Sequence, residues 1–208
     1  MDHSSQKALS LVHIKDFIDA AKKNDVISVE QFLSLKIEVD AKDQYGNTAL
    51  HYASSQGFVK IVGMILDFGG TVDVLNRFLS TPLQQAVLFN HPAIVEKLLE
   101  KAADPFRIDD DGYNALKLAS LNGDVKMLEL LVAHSNGISF DAVDLIMGAV
   151  EGIINHTDAW EIIRWLVRNK HYNPHPDEDD PIRKILDEHH WTYVERYSEI
   201  IAFRGYHQ

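Results

Sequence analysis

The sequence predicts an all-α solenoid of stacked helix–turn–helix units with short hairpin loops and a C-terminal capping helix. Three observations lead there. Small, apolar and turn-forming residues return at a period of 33: Leu50, Leu83 and Leu116 make one column, and Ala53, Ala86 and Ala119 another. After each such stretch comes a run with apolar residues at i, i+3 and i+4, the spacing of one helical face. The composition, 46% hydrophobic with no cysteine, supplies a continuous core without a disulfide framework.

The formal net charge of −11 repels phosphate backbones, which argues against sequence-independent nucleic-acid binding. No apolar run approaches the roughly 20 residues of a membrane span, and the polar N-terminus lacks a secretory pattern.

The repeat is best seen by sliding Asp43–Gly57 along the chain. Shifted by 33 it meets Asn76–Asn90, and shifted again it meets Asp109–Gly123. Backwards, Ala53 meets Ala20 and Leu66 meets Leu33, so the period runs through four units. The motifs read Thr48-Ala-Leu-His-Tyr-Ala53, Thr81-Pro-Leu-Gln-Gln-Ala86 and Asn114-Ala-Leu-Lys-Leu-Ala119. They resemble the ankyrin repeat, whose signature is Thr-Pro-Leu-His-x-Ala at this period. The match covers about Asp16 to Ser135.

In chain order, residues 1–8 are expected to be a disordered tail and 9–42 an N-terminal capping repeat. Lys15, Asp16, Lys22, Lys23 and Asn24 would keep its outward face polar, as an end repeat needs. Repeats follow at 43–75, 76–108 and 109–140. Thr48 and Thr81 sit where a helix N-cap is needed, and Pro82 at the first helical position loses nothing by lacking an N–H. The small Ala53, Ala86 and Ala119 let paired helices approach. Gly57, Asn90 and Gly123 suit the left-handed conformation that ends a first helix. Leu79 stands where the other fingers have Gly46 and Gly112, and a leucine there would be strained, so a different turn is expected in that finger. His51 reads as a structural histidine bonded to neighbouring backbone. Past Asn136-Gly137 the pattern loosens. A degenerate fifth repeat is expected over 141–170, with Asn155-His-Thr-Asp158 as its long turn. An acidic loop and a capping helix from Pro181 to about Phe203 fill 171–208.

The resemblance implies a protein-binding surface made of hairpin fingers and the exposed side of each first helix. Carried over position by position, it comprises Tyr45, Arg77, Phe78, Leu79, Leu88, Phe89, Asp110, Asp111, Tyr113, Leu121 and Asn122. Apolar and aromatic residues on a face that should be polar point to an interaction patch. The acids of the fourth finger favour a partner protein with a basic rim. The protein is expected to be cytoplasmic and monomeric before binding, without cofactor or catalytic residues. The loose repeats also resemble effectors that intracellular bacteria deliver to engage a host protein.

The competing reading places an enzymatic or regulatory site after Gly137. Its strongest candidate is His171 with His175 near Asp177, Glu178 and Asp179, a possible metal-ligand spacing, but Pro174 and Pro176 prevent a helix from aligning the two imidazoles. His189-His190 reads as a surface pair. No Gly-rich phosphate loop, nucleophile elbow or cysteine nucleophile is present in the sequence. No metal ligands are therefore assigned.

Overall fold

The structure, a computed structural model, describes residues 3–135, 140–151, 156–169 and 171, with side chains from residue 13 onward except at 151 and 156–160. The expected acidic loop beyond His171, the capping helix, His175 and His189-His190 lie outside the described residues. Among the described residues all regular structure is helical. The chain divides into two compact units, 1–115 and 116–208.

The first unit holds three helix pairs: α1 (His3–Lys22) with α2 (Val26–Ser34), α3 (Ala49–Ser55) with α4 (Val59–Asp67), and α5 (Pro82–Leu88) with α6 (Pro92–Glu100). First helices pack side by side, α1 on α3 and α3 on α5, and second helices do the same, α2 on α4 and α4 on α6. Leu50, Ile61, Ile65, Leu83, Ile94 and Leu98 are all fully buried in this core. Each such side chain contributes about 1.5–3 kcal/mol relative to exposure. Ala53 and Ala86 are fully buried as well, as close helix packing requires.

Short helices need good ends, because isolated ones are marginal in water. Thr48 and Thr81 each accept a hydrogen bond from the N–H three residues on, and His51 and Gln84 return the bond to the cap N–H. This reciprocal box satisfies two orphan donors per helix. On the opposite side, adjacent repeats are tied by carboxylates. Asp40 accepts from the Thr71 N–H (3.0 Å) and hydroxyl (2.5 Å), and one repeat later Asp73 accepts from the Asp104 N–H (3.2 Å).

All ten positive-φ residues described fall into three columns of period 33: Asn24, Gly57, Asn90 and Gly123; Lys36, Gly69 and Ala102; Gly46, Leu79 and Gly112. The first two columns end first and second helices. The third corrects the expectation for Leu79: its finger keeps the same left-handed turn, with φ 54° against 76° at Gly46 and 83° at Gly112. Hydrogen bonding on both sides of the leucine holds it there, since Leu79 N–H donates to the Asn76 carbonyl and Ser80 N–H to the Asn76 side chain.

Two further departures concern the ends. α1 opens at His3, inside the stretch expected to be a disordered tail. Lys22 does not face outward: its ammonium sits 4.0 Å from the centre of the Tyr52 ring and 3.7 Å from Asp43.

The second unit contains α7, which opens at the boundary (Ala115–Leu121), α8 (Val125–Ala133), α9 (Ala142–Glu151) and α10 (His156–Arg168). Leu116, Leu128, Leu131, Leu145, Ile146, Ile163 and Leu166 form its core. Asp124 caps α8 by accepting from Met127 N–H. Lys117 pairs with Asp144 at 2.8 Å, Ser120 donates to the Leu145 carbonyl, and the Trp165 indole N–H reaches Glu129 at 3.1 Å. α10 begins within the segment expected to be the long turn, so helix extends further back than the sequence pattern suggested.

Candidate functional site

Each finger of the first unit is built from the same local chemistry. The Asp43 N–H donates to the Asn47 carbonyl (2.9 Å), while the Asp43 carboxylate accepts from the N–H groups of Tyr45 and Asn47 (2.9 and 3.0 Å). Asn76 repeats this with Phe78 and Ser80, and Asp109 accepts from Tyr113 N–H at 2.8 Å. Asp and Asn favour such turns because the side chain substitutes for a backbone partner. Burial pushes the Asp43 carboxyl up, but the Tyr52 hydroxyl, the two finger N–H groups and Lys22 outweigh it and hold it below its ordinary value.

Neighbouring fingers are tied through backbone. Arg77 N–H donates to the Tyr45 carbonyl at 3.2 Å, and Asp110 N–H to the Phe78 carbonyl at 3.1 Å. Gly46 cannot be replaced here without strain, since a β-carbon would lie 2.7 Å from the Arg77 nitrogen. This short ladder sets Tyr45, Phe78 and Asp111 in one row and Gln44, Arg77 and Asp110 in a second.

The exposed stripe of the first helices joins this row. In α5, Leu83, Gln84, Ala86 and Val87 are buried, leaving Gln85, Leu88 and Phe89, at i, i+3 and i+4, on the other side. The result is a run of large apolar groups open to solvent: Phe78 is 55% exposed, Phe89 53%, Tyr45 52%, Leu79 48% and Leu88 44%. Arg77, Asp110 and Asp111 are exposed and Tyr113 is half-buried. Leu121 and Asn122, also assigned to this surface from sequence, are half-buried in the second unit. Ile108, 62% exposed immediately before the fourth finger, was missed. Its signal was present, as it occupies the column of Lys42 and Leu75 and neither flank is apolar.

Behind the fingers, one side chain per repeat reads the next. The buried His51 ring takes Thr48 N–H on Nδ1 (3.2 Å) and presents Nε2 to the Ser80 carbonyl (3.1 Å). An accepting Nδ1 assigns the proton to Nε2, so the neutral ring donates to Ser80. Burial is the largest cause that pushes the imidazole down to about 4, although the bond to Ser80 opposes it. Gln84 makes the same connection: its oxygen accepts from Thr81 N–H (2.8 Å) and its amide donates to the Tyr113 carbonyl (2.7 Å). The histidine is structural, as expected. Among the described residues no group of three or more His, Asp or Glu side chains converges as metal ligands, and no helix is long and apolar enough to cross a membrane.

Residues 17–109 and 76–144 match the family described as ankyrin repeats (3 copies). Among curated proteins, the chain is 32% identical over 118 residues to the ankyrin repeat protein nuc-2 of Neurospora crassa, covering 56% of this chain and 11% of that protein. It is 30% identical over 119 residues to the probable E3 ubiquitin-protein ligase XBOS32 of Oryza sativa, covering 56% and 24%. It is 27% identical over 164 residues to the nuclear factor NF-kappa-B p105 subunit of Gallus gallus, covering 69% and 16%. The chain thus spans only 5% to 24% of the length of such relatives.

Proposed function

The chain belongs to the ankyrin-repeat family, and from that premise we propose that it is a non-catalytic protein-binding module that engages a partner protein through its fingers and first-helix stripe. The observation that carries this is the exposure of Tyr45, Phe78, Leu79, Leu88 and Phe89 on fingers fixed by backbone hydrogen bonds. Rigid aromatic side chains lose little conformational freedom on binding, and covering one contributes about 1.5–3 kcal/mol. Asp110 and Asp111 flank the apolar centre and select a partner with basic residues at its rim. Tyr113, half-buried, gives its N–H to Asp109 within the finger, and Leu121 and Asn122 hold the corresponding first-helix positions of the second unit. A delivered effector would turn the same face toward a host protein.

Replacing Tyr45, Phe78, Phe89 and Tyr113 together by alanine is expected to abolish partner capture in pull-downs while leaving helicity intact by circular dichroism. Retained capture by a folded variant would remove this face from the function.

A further inference from the structure

The finger ladder has an open edge. Arg77 and Asp110 each give their N–H to the finger before them, and Gln44 is the residue of that column in the second repeat's finger. A finger before it would span residues 10–14, but those residues lie inside α1. Among the described residues, the Gln44 N–H donates to nothing. An open backbone N–H can take a carbonyl of another extended chain, as it does at the edge of a sheet.

Beside that edge lies a gap of about 470 Å³, with Ile14, Lys15 and Ile18 of α1 on one wall and Lys42, Gln44 and Tyr45 on the other. Its charge runs against that of the protein. Lys22 is matched by Asp19 and by Asp43, and the Asp43 oxygens also serve Tyr52 and the finger N–H groups. Among the described residues, the exposed Lys15 and Lys42 have no carboxylate partner, and the Lys42 ammonium donates only to the Leu75 carbonyl, at 2.7 Å. In a chain of net charge −11, two unmatched cations beside a bare N–H select an acidic occupant.

We infer that this edge docks an extended acidic segment of a partner protein, one of its carbonyls accepting from Gln44 N–H and its carboxylates meeting Lys15 and Lys42. Successive side chains of an extended segment point to opposite faces, so alternating acidic and apolar residues satisfy both the lysines and the Ile14–Ile18 wall. This site adjoins the apolar patch at Tyr45 but does not depend on Phe78 or Phe89.

The test titrates the ¹⁵N-labelled full chain with a capped octapeptide of alternating Glu and Val, and with its Lys–Val counterpart. The Glu–Val peptide is expected to shift the Gln44 amide, slow its solvent exchange and bind at least about tenfold more tightly than the Lys–Val peptide. Joint Lys15→Glu and Lys42→Glu substitution is expected to remove that preference while circular dichroism still reports a folded chain. Joint Phe78→Ala and Phe89→Ala substitution is expected to preserve it. An unperturbed Gln44 amide, equal binding of the two peptides, or a preference that survives the double charge reversal would each overturn the inference.

Discussion

Leu79 shows how much one residue can be made to tolerate. A non-glycine residue in the left-handed region costs about 1–2 kcal/mol, and this one does so with about half of its surface open to water. Leu79→Gly is expected to raise stability by about 0.5–1 kcal/mol in urea unfolding, the relieved strain exceeding the added chain entropy. The same change should weaken partner capture, because it deletes an apolar group from the proposed patch. The Ser54 hydroxyl is a second local oddity, buried without a hydrogen-bond partner among the described residues. Ser54→Ala is expected to be neutral or stabilising by up to about 1 kcal/mol, since an unmet hydroxyl costs more than the methyl that replaces it. His51 carries a pH signature. Its imidazole falls from 6.5 to about 4 on folding, so the unfolded chain binds the extra proton between those values. Stability is fully present above pH 6.5 and declines as pH falls toward 4, by up to about 3 kcal/mol. His51→Gln should hold stability near neutral pH within about 1 kcal/mol, because Gln84 does the same work, and should flatten the decline in melts taken from pH 7 to 4.5.

At the level of elements, capping decides whether helices of seven residues form. Thr81→Ala removes the box at the start of α5 and is expected to cost about 1 kcal/mol by urea unfolding, while Thr81→Ser costs less. These caps, the close-packed alanines and the helix-ending Gly57, Asn90 and Gly123 were all legible in the sequence, because each is a local requirement satisfied by one residue type. What was not legible depended on longer reach. That α1 continues back through the positions of a finger went unread, although Ser10 and His13 stand there in the columns of Asp43 and Gly46. Nor does the sequence reveal that Lys22 lies over Tyr52, because that contact joins two repeats. Leu79 was misjudged for a related reason: its turn is held by Asn76, whose control over Ser80 outweighs the preference of the leucine itself.

At the largest scale, the period legible in sequence is the period of the described structure, and positive φ marks it three times in each of the repeats 43–75 and 76–108. Stability in such an array is close to a sum of each repeat and its contacts with its neighbours. Leu83→Ala, in a first helix between the second and fourth fingers' repeats, is therefore expected to fall high in the 2–5 kcal/mol range, and Leu33→Ala in the end repeat low in it. Paired urea titrations would test that order. The surface residues were legible as a departure from polarity, but their grouping became visible only once the ladder had aligned the fingers.

The joints between repeats have a further consequence. Asp40, Asp73, His51 and Gln84 all address backbone groups of the following repeat, an N–H or a carbonyl that any residue could supply. The spine is thus written in a script blind to the identity of the outward side chains. Those side chains are free to drift, and an interaction specificity can be overwritten finger by finger while the scaffold beneath keeps its register.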